Sequence, residues 1–150
     1  GALLEANKIG AITAMICCNK VKSNYAIKHL ISIIVGPEII SGSTRLKAGT
    51  ATKMVLNMIS TATMIKLNKV YNNYMVDLKI SNKKLYNRGL KIIQNITFCS
   101  KMESERILKK TNGNVKVAII MITLDKTLYE AQDILNEFDG NLDKILKTEE

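Results

Sequence analysis

Arginine is scarce in this 150-residue chain, with Arg45, Arg88 and Arg106 the only three, and aromatic residues make up just 5%. Base recognition uses clustered arginines and aromatic platforms, so their lack argues against a nucleic-acid partner despite a formal net charge of +9. The other 19 cations are lysines scattered along the chain, as on a solvated basic surface. Long apolar runs are also lacking: stretches such as Val117 to Ile122 fall far short of the roughly 18 residues that suggest a membrane span. The N-terminus shows no charged region, apolar run and cleavage site in that order, so a soluble protein with no membrane partner is expected. Cysteine is sparse too. Cys17 and Cys18 are adjacent and Cys99 stands alone, which gives neither a CxxC pair nor a disulfide framework, and all three read as reduced core residues of a cytoplasmic protein. His29 is the sole histidine, so no triad or metal site can be built on it, and a surface position is expected. No cofactor is called for.

What is present is enough apolar sequence, 47%, to bury a core, with 23% charged residues, which excludes disorder as the main reading. Residues 1–78 carry nine cations against three acids, Glu5, Glu38 and Asp77, while residues 79–150 carry thirteen against ten. The positive field therefore belongs to the first half, where it would favour an anionic ligand.

The run Ala11 to Cys18 is continuously apolar and reads as a strand buried on both faces of a parallel sheet, preceded by a helix near Leu3 to Ile9. A short helix from Ser23 to Lys28 and a β-branched strand from Leu30 to Val35, stopped by Gly36-Pro37, complete a βαβ unit. From Ala48 to Leu67 apolar residues recur at helical spacing and form a stripe that must face a core or a partner. Asn68 and Asn72-Asn73 mark a loop, and Ser81-Asn82 offers an N-cap for a helix from Lys83 to about Thr97. The composition changes near residue 79, which divides the chain into 1–78 and 79–150.

The last fifty residues repeat at an offset of 27: Glu103 maps to Glu130, Ile107-Leu108 to Ile134-Leu135, and Gly113-Asn114 to Gly140-Asn141. Each copy reads as a helix, a turn in which Gly supplies the left-handed cap, and a second helix.

The segment from Gly36 to Thr50 joins the carboxyl end of the second strand to the long helix, where open α/β sheets bind ligands. Ser43 or Thr44 can cap that helix, and its first-turn N–H groups with Arg45 and Lys47 could hold a phosphate or carboxylate, or simply form an ordinary capped helix with surface cations. Gly42, Ser43 and Thr44 do not have the GxxxxGK[ST] spacing of a P-loop, so nucleotide binding is not supported. Glu38, the one acid near this loop, can serve as a base, as a hydroxyl acceptor, or as a partner for Arg45 or Lys47.

The run VGPEIISGSTRLKAGTATKMVLNMISTATMIKLNKVYNNYMVDLK, Val35 to Lys79, resembles the signature region of the N-acetylmuramic acid 6-phosphate etherases of the sugar isomerase (SIS) superfamily. The preceding GALLEANKIGAITAMICCN and the C-terminal repeat are similar to that family as well. The resemblance implies an α/β fold: the C-terminal half of a SIS-type three-layer sandwich followed by an all-α region likened to a ubiquitin-associated fold. It implies that half of such a protein precedes Gly1, including the family's serine-rich loop and two catalytic glutamates, so no catalytic residue is assigned here. It implies cleavage of the D-lactyl ether of N-acetylmuramic acid 6-phosphate by elimination and hydration, without a metal. Glu38, Ser43, Thr44, Arg45 and Lys47 would support binding of the phosphorylated amino sugar, in a homodimer whose contact includes the long helix. A non-catalytic regulator that binds phosphosugars, like glucokinase regulatory protein, is the alternative. The family usually has glycine where this chain has Asn68 and Asn72; asparagine tolerates the left-handed backbone such turns demand. Thr52 stands where glutamine is usual.

Overall fold

The computed structural model describes residues 1–21 and 27–148. In chain order these form α1 (Ala2–Lys8), β1 (Ala14–Cys17), β2 (His29–Ser32), α2 (Lys47–Lys66), β3 (Val70–Tyr71), β4 (Tyr74–Met75), α3 (Lys83–Thr97), α4 (Lys101–Lys110), α5 (Val115–Thr123), α6 (Leu128–Glu137) and α7 (Leu142–Lys147). The fold is mixed α/β, with seven helices and two two-stranded sheets among the described residues. It divides into compact units Gly1–Thr61 and Ala62–Glu150, a break inside α2 and earlier in the chain than the compositional change near residue 79.

In the first unit β1 and β2 pair in parallel, from Ala14 opposite His29 to Cys17 opposite Ser32. Both strands are shorter than their apolar runs. Most of β2 is exposed and β1 is only partly covered, so β1 is not the doubly buried strand its apolar run predicts. The cause is the size of the sheet: two strands alone offer no second layer to cover both faces. The helix expected from Ser23 to Lys28 falls largely outside the described residues. α2 matches its apolar spacing closely, yet none of its residues is buried, and Met54, Met58, Ile59 and Ile65 stand exposed. Among the described residues nothing buries this stripe.

In the second unit the chain leaves α2 through Asn68 at φ 56° and turns again through Asn72 at φ 50°, the left-handed backbone expected of both. Asn72 and Asn73 do not merely sit in a loop. They join β3 and β4 as an antiparallel hairpin, after which Val76 enters the core at 1% exposure. Asn82 caps α3, its Oδ1 accepting from the Leu85 amide at 2.9 Å, as the sequence predicts.

The 27-residue repeat is two helical hairpins, α4–α5 and α6–α7. In each, the first helix closes through two left-handed residues, Asn112-Gly113 and Asp139-Gly140, and the glycine amide donates back to Leu108 O at 2.9 Å or Leu135 O at 2.8 Å. The next asparagine, Asn114 or Asn141, then caps the second helix by accepting from Val117 N or Lys144 N. α5 is apolar nearly all round and is buried from Val115 to Met121, packed against α3, α4, α6 and α7.

Candidate functional site

The loop between β2 and α2 is shaped first by Gly36, whose φ of 69° admits glycine without strain. Pro37 follows, and the chain then brings Glu38 back against the start of α2. Glu38 Oε2 accepts from the Lys47 amide at 2.9 Å and Oε1 from the Ala48 amide at 3.0 Å, while Lys47 Nζ donates to Pro37 O at 2.8 Å. The amides of Gly49 and Thr50 donate to Thr44 O at 2.8 Å and Leu46 O at 3.1 Å. All four amides of the first turn therefore have partners.

This corrects the expectation that Ser43 or Thr44 caps the helix and leaves its amides free for a phosphate. A carboxylate carries the charge that a helix N-terminus favours, so Glu38 is a stronger cap than a neutral hydroxyl and takes the place an external anion would need. The Ala48 amide and then the Lys47 amide hold the Glu38 carboxyl below its ordinary value of 4.5, aided by the Lys47 charge and opposed by partial burial. The two amide contacts make the ionised Glu38 carboxylate an organiser of the loop, tying it to the start of α2.

A cavity of about 460 Å³ opens beside this cap at the carboxyl ends of β1 and β2. Its walls include Cys18 and Asn19 beyond β1, Val35 and Gly36 beyond β2, and Glu38, Thr44 and Ala48 from the loop and helix. Cys18 holds the end of β1 against α2, its Sγ donating to Ala48 O at 3.6 Å and lying 3.5 Å from Thr52 Oγ1. Of the five residues singled out in the sequence, Glu38 and Thr44 line this cavity. Ser43, Arg45 and Lys47 do not, although Lys47 borders a second, open and apolar hollow of about 580 Å³ with Val35, Leu46 and Met54.

Cys18 and Asn19 line the cavity but are not singled out by the sequence reading, whereas Gly36 opens the segment it picks out. The rule that ligands sit at the carboxyl ends of parallel strands identifies Cys18 and Asn19 once it is applied to the first strand as well as the second. Cys17, Cys18 and Cys99 are free thiols and half-buried; Cys99 packs against the core of the helical unit, and none of the three is fully buried as a core position would require. His29 is exposed, as expected, though it opens β2 and does not sit in a turn. Among the described residues no group of three His, Cys, Asp or Glu is placed to hold a metal, and no helix is long and apolar enough to cross a membrane.

Residues 72–117 match the family described as the C-terminal lid domain of glucokinase regulatory protein. Over 98% of its length the chain is 50% identical to an N-acetylmuramic acid 6-phosphate etherase of Clostridium acetobutylicum, covering 49% of that protein. It is 46% identical to the enzyme of that name from Bacillus subtilis, over 98% of this chain and 49% of the relative. Against N-acetylmuramic acid 6-phosphate etherase 1 of Bacillus licheniformis it is 46% identical over 97% of this chain and 48% of the relative. The chain thus spans about half the length of the curated relatives it matches.

Proposed function

Taking the chain as a member of the N-acetylmuramic acid 6-phosphate etherase family, we propose that it supplies the sugar-phosphate-binding loop and helical lid of an enzyme that cleaves the D-lactyl ether of N-acetylmuramic acid 6-phosphate. The products are N-acetylglucosamine 6-phosphate and D-lactate. The reaction is an elimination followed by hydration. A base takes the C2 proton, made acidic by the open-chain aldehyde, an acid assists lactate departure from C3, and water adds across the double bond. The observation that carries this reading is the cavity at the two strand ends, walled by Asn19, Gly36 and Thr44 beside a helix start that Glu38 holds in place.

Within this reading residues 1–78 are the C-terminal half of a SIS-type three-layer sandwich, and residues 79–150 form a helical region built on ubiquitin-associated-like hairpins. Thr44 and Asn19 contribute polar groups to the phosphosugar. Ser43, Arg45 and Lys47 shape the loop and set its charge. The resemblance gives the acid and base roles to two glutamates with no counterpart assigned in this chain, and Glu38 serves as the cap of α2. The exposed apolar stripe of α2 suits a homodimer contact. Cytoplasmic placement follows from the phosphorylated substrate.

The match of residues 72–117 to a regulator's lid domain supports a second reading, a phosphosugar sensor without lyase activity. An enzymatic D-lactate assay on the full-length etherase containing this chain separates the two. Release of D-lactate with N-acetylglucosamine 6-phosphate is expected; saturable binding of the phosphosugar without D-lactate release would establish the sensor instead.

A further inference from the structure

We propose that a cleft in the helical unit, between α4 and the turn from α5 to α6, binds a small phosphate monoester. The cleft is about 270 Å³ and is formed entirely by residues of the unit Ala62–Glu150, so it is a different place from the strand-end cavity of the first unit. That volume lies near the lower end of small-molecule sites, which run from roughly 300 to 1,000 Å³.

Three cations border it, Arg106, Lys110 and Lys126, against two acids, Glu103 and Asp125. The protein neutralises these cations only in part, Lys126 lying within electrostatic reach of Glu130. Arg106 Nη2 lies 4.0 Å from Glu103 Oε1, at the limit of an ion pair, and neither Lys110 nor Lys126 joins an ion pair among the described residues. The fold does not require cations here. At the same helical positions of the second repeat copy, 27 residues on, Arg106 becomes Asp133 and Lys110 becomes Glu137, and that segment still forms a helical hairpin.

A phosphate monoester carries nearly two negative charges near neutral pH and three acceptor oxygens, which suits one arginine fork and two ammonium groups better than a monoanion does. Ile107 and Met121 add an apolar floor for the body of the ester. The inference stands on the cleft alone and does not depend on the etherase reading.

The test is an amide chemical-shift titration of the full chain with inorganic phosphate and, separately, with glucose 6-phosphate, at ionic strength held constant with potassium chloride. Saturable shifts at Arg106, Lys110 and Lys126 are expected, with glucose 6-phosphate the tighter ligand. The double variant Lys110→Gln/Lys126→Gln should weaken binding by about tenfold, while Lys83→Gln/Lys84→Gln, an equal loss of charge on exposed α3 positions, should leave it unchanged. Shifts that do not saturate, equal weakening by both double variants, or inorganic phosphate binding as tightly as the ester would overturn the proposal. Shifts confined to residues 36–48 would overturn it while leaving the first unit's cavity intact as a phosphosugar site.

Discussion

The Glu38 carboxylate lies 3.0 Å from the Ala48 amide, ten residues along the chain, and the same group accepts from the Lys47 amide at 2.9 Å. One acidic side chain thus closes the β2–α2 loop and caps α2 together. Because its folded pKa is lowered, this contribution to stability is present above the ordinary value of 4.5 and is lost as the pH falls from there through the lower folded value. Hydrogen-exchange protection of the Lys47 and Ala48 amides should decline over that acid range. Glu38→Gln, which keeps an acceptor but loses the charge, should reduce protection at neutral pH, and Glu38→Ala should reduce it further. Unchanged protection in both variants would remove Glu38 from its capping role.

The two repeat turns should respond alike to the same change. Asn114→Ala and Asn141→Ala each remove an N-cap acceptor, and each should cost about 0.5–2 kcal/mol in urea unfolding. Gly113→Ala places a Cβ at φ 84°, and about 1–2 kcal/mol is expected from the backbone alone, since the nearest neighbour of that Cβ is at an ordinary 3.5 Å. A loss at Asn114 with none at Asn141 would show that the repeat is one of sequence and not of energetics.

Burial in this chain is unevenly shared. Ile93 is fully buried under α5, and Ile93→Ala should cost about 2–5 kcal/mol. Met58, at 59% exposure on α2, should tolerate the same change within about 0.5 kcal/mol in the isolated chain. Equal losses by urea denaturation would mean that the α2 stripe is covered in solution.

Much of this architecture is legible in the residues themselves. The helix from Lys83 to Thr97 announces its start through Asn82, the left-handed turns fall at Asn68 and Asn72, and the repeat reads out its own caps. These are local signals, each carried by residues a few positions apart. The β3–β4 hairpin stays hidden because two-residue strands are too short for an alternating pattern to register. Glu38 is missed as a cap because the familiar capping pair is separated by three residues, as in Thr127 and Glu130 of α6, whereas Glu38 reaches across the loop to Ala48. The exposure of β2 and α2 is equally invisible, since an apolar stripe predicts that a face will be covered without saying by what. Charge singles out Arg45 and Lys47, yet neither lines the cavity, whereas Glu38 and Thr44 do, together with Asn19 and Gly36 at the strand ends.

The central claim is that the cavity between the strand ends and the Glu38-capped helix receives a phosphorylated amino sugar. Its most direct test follows the amides of Cys18, Asn19, Gly36 and Thr44 as N-acetylglucosamine 6-phosphate is added. Saturable shifts at these four positions are predicted, with affinity weakened by about tenfold in Thr44→Val, which replaces the hydroxyl with a methyl group of similar size. A phosphosugar that binds the protein while leaving all four amides unmoved would contradict the account.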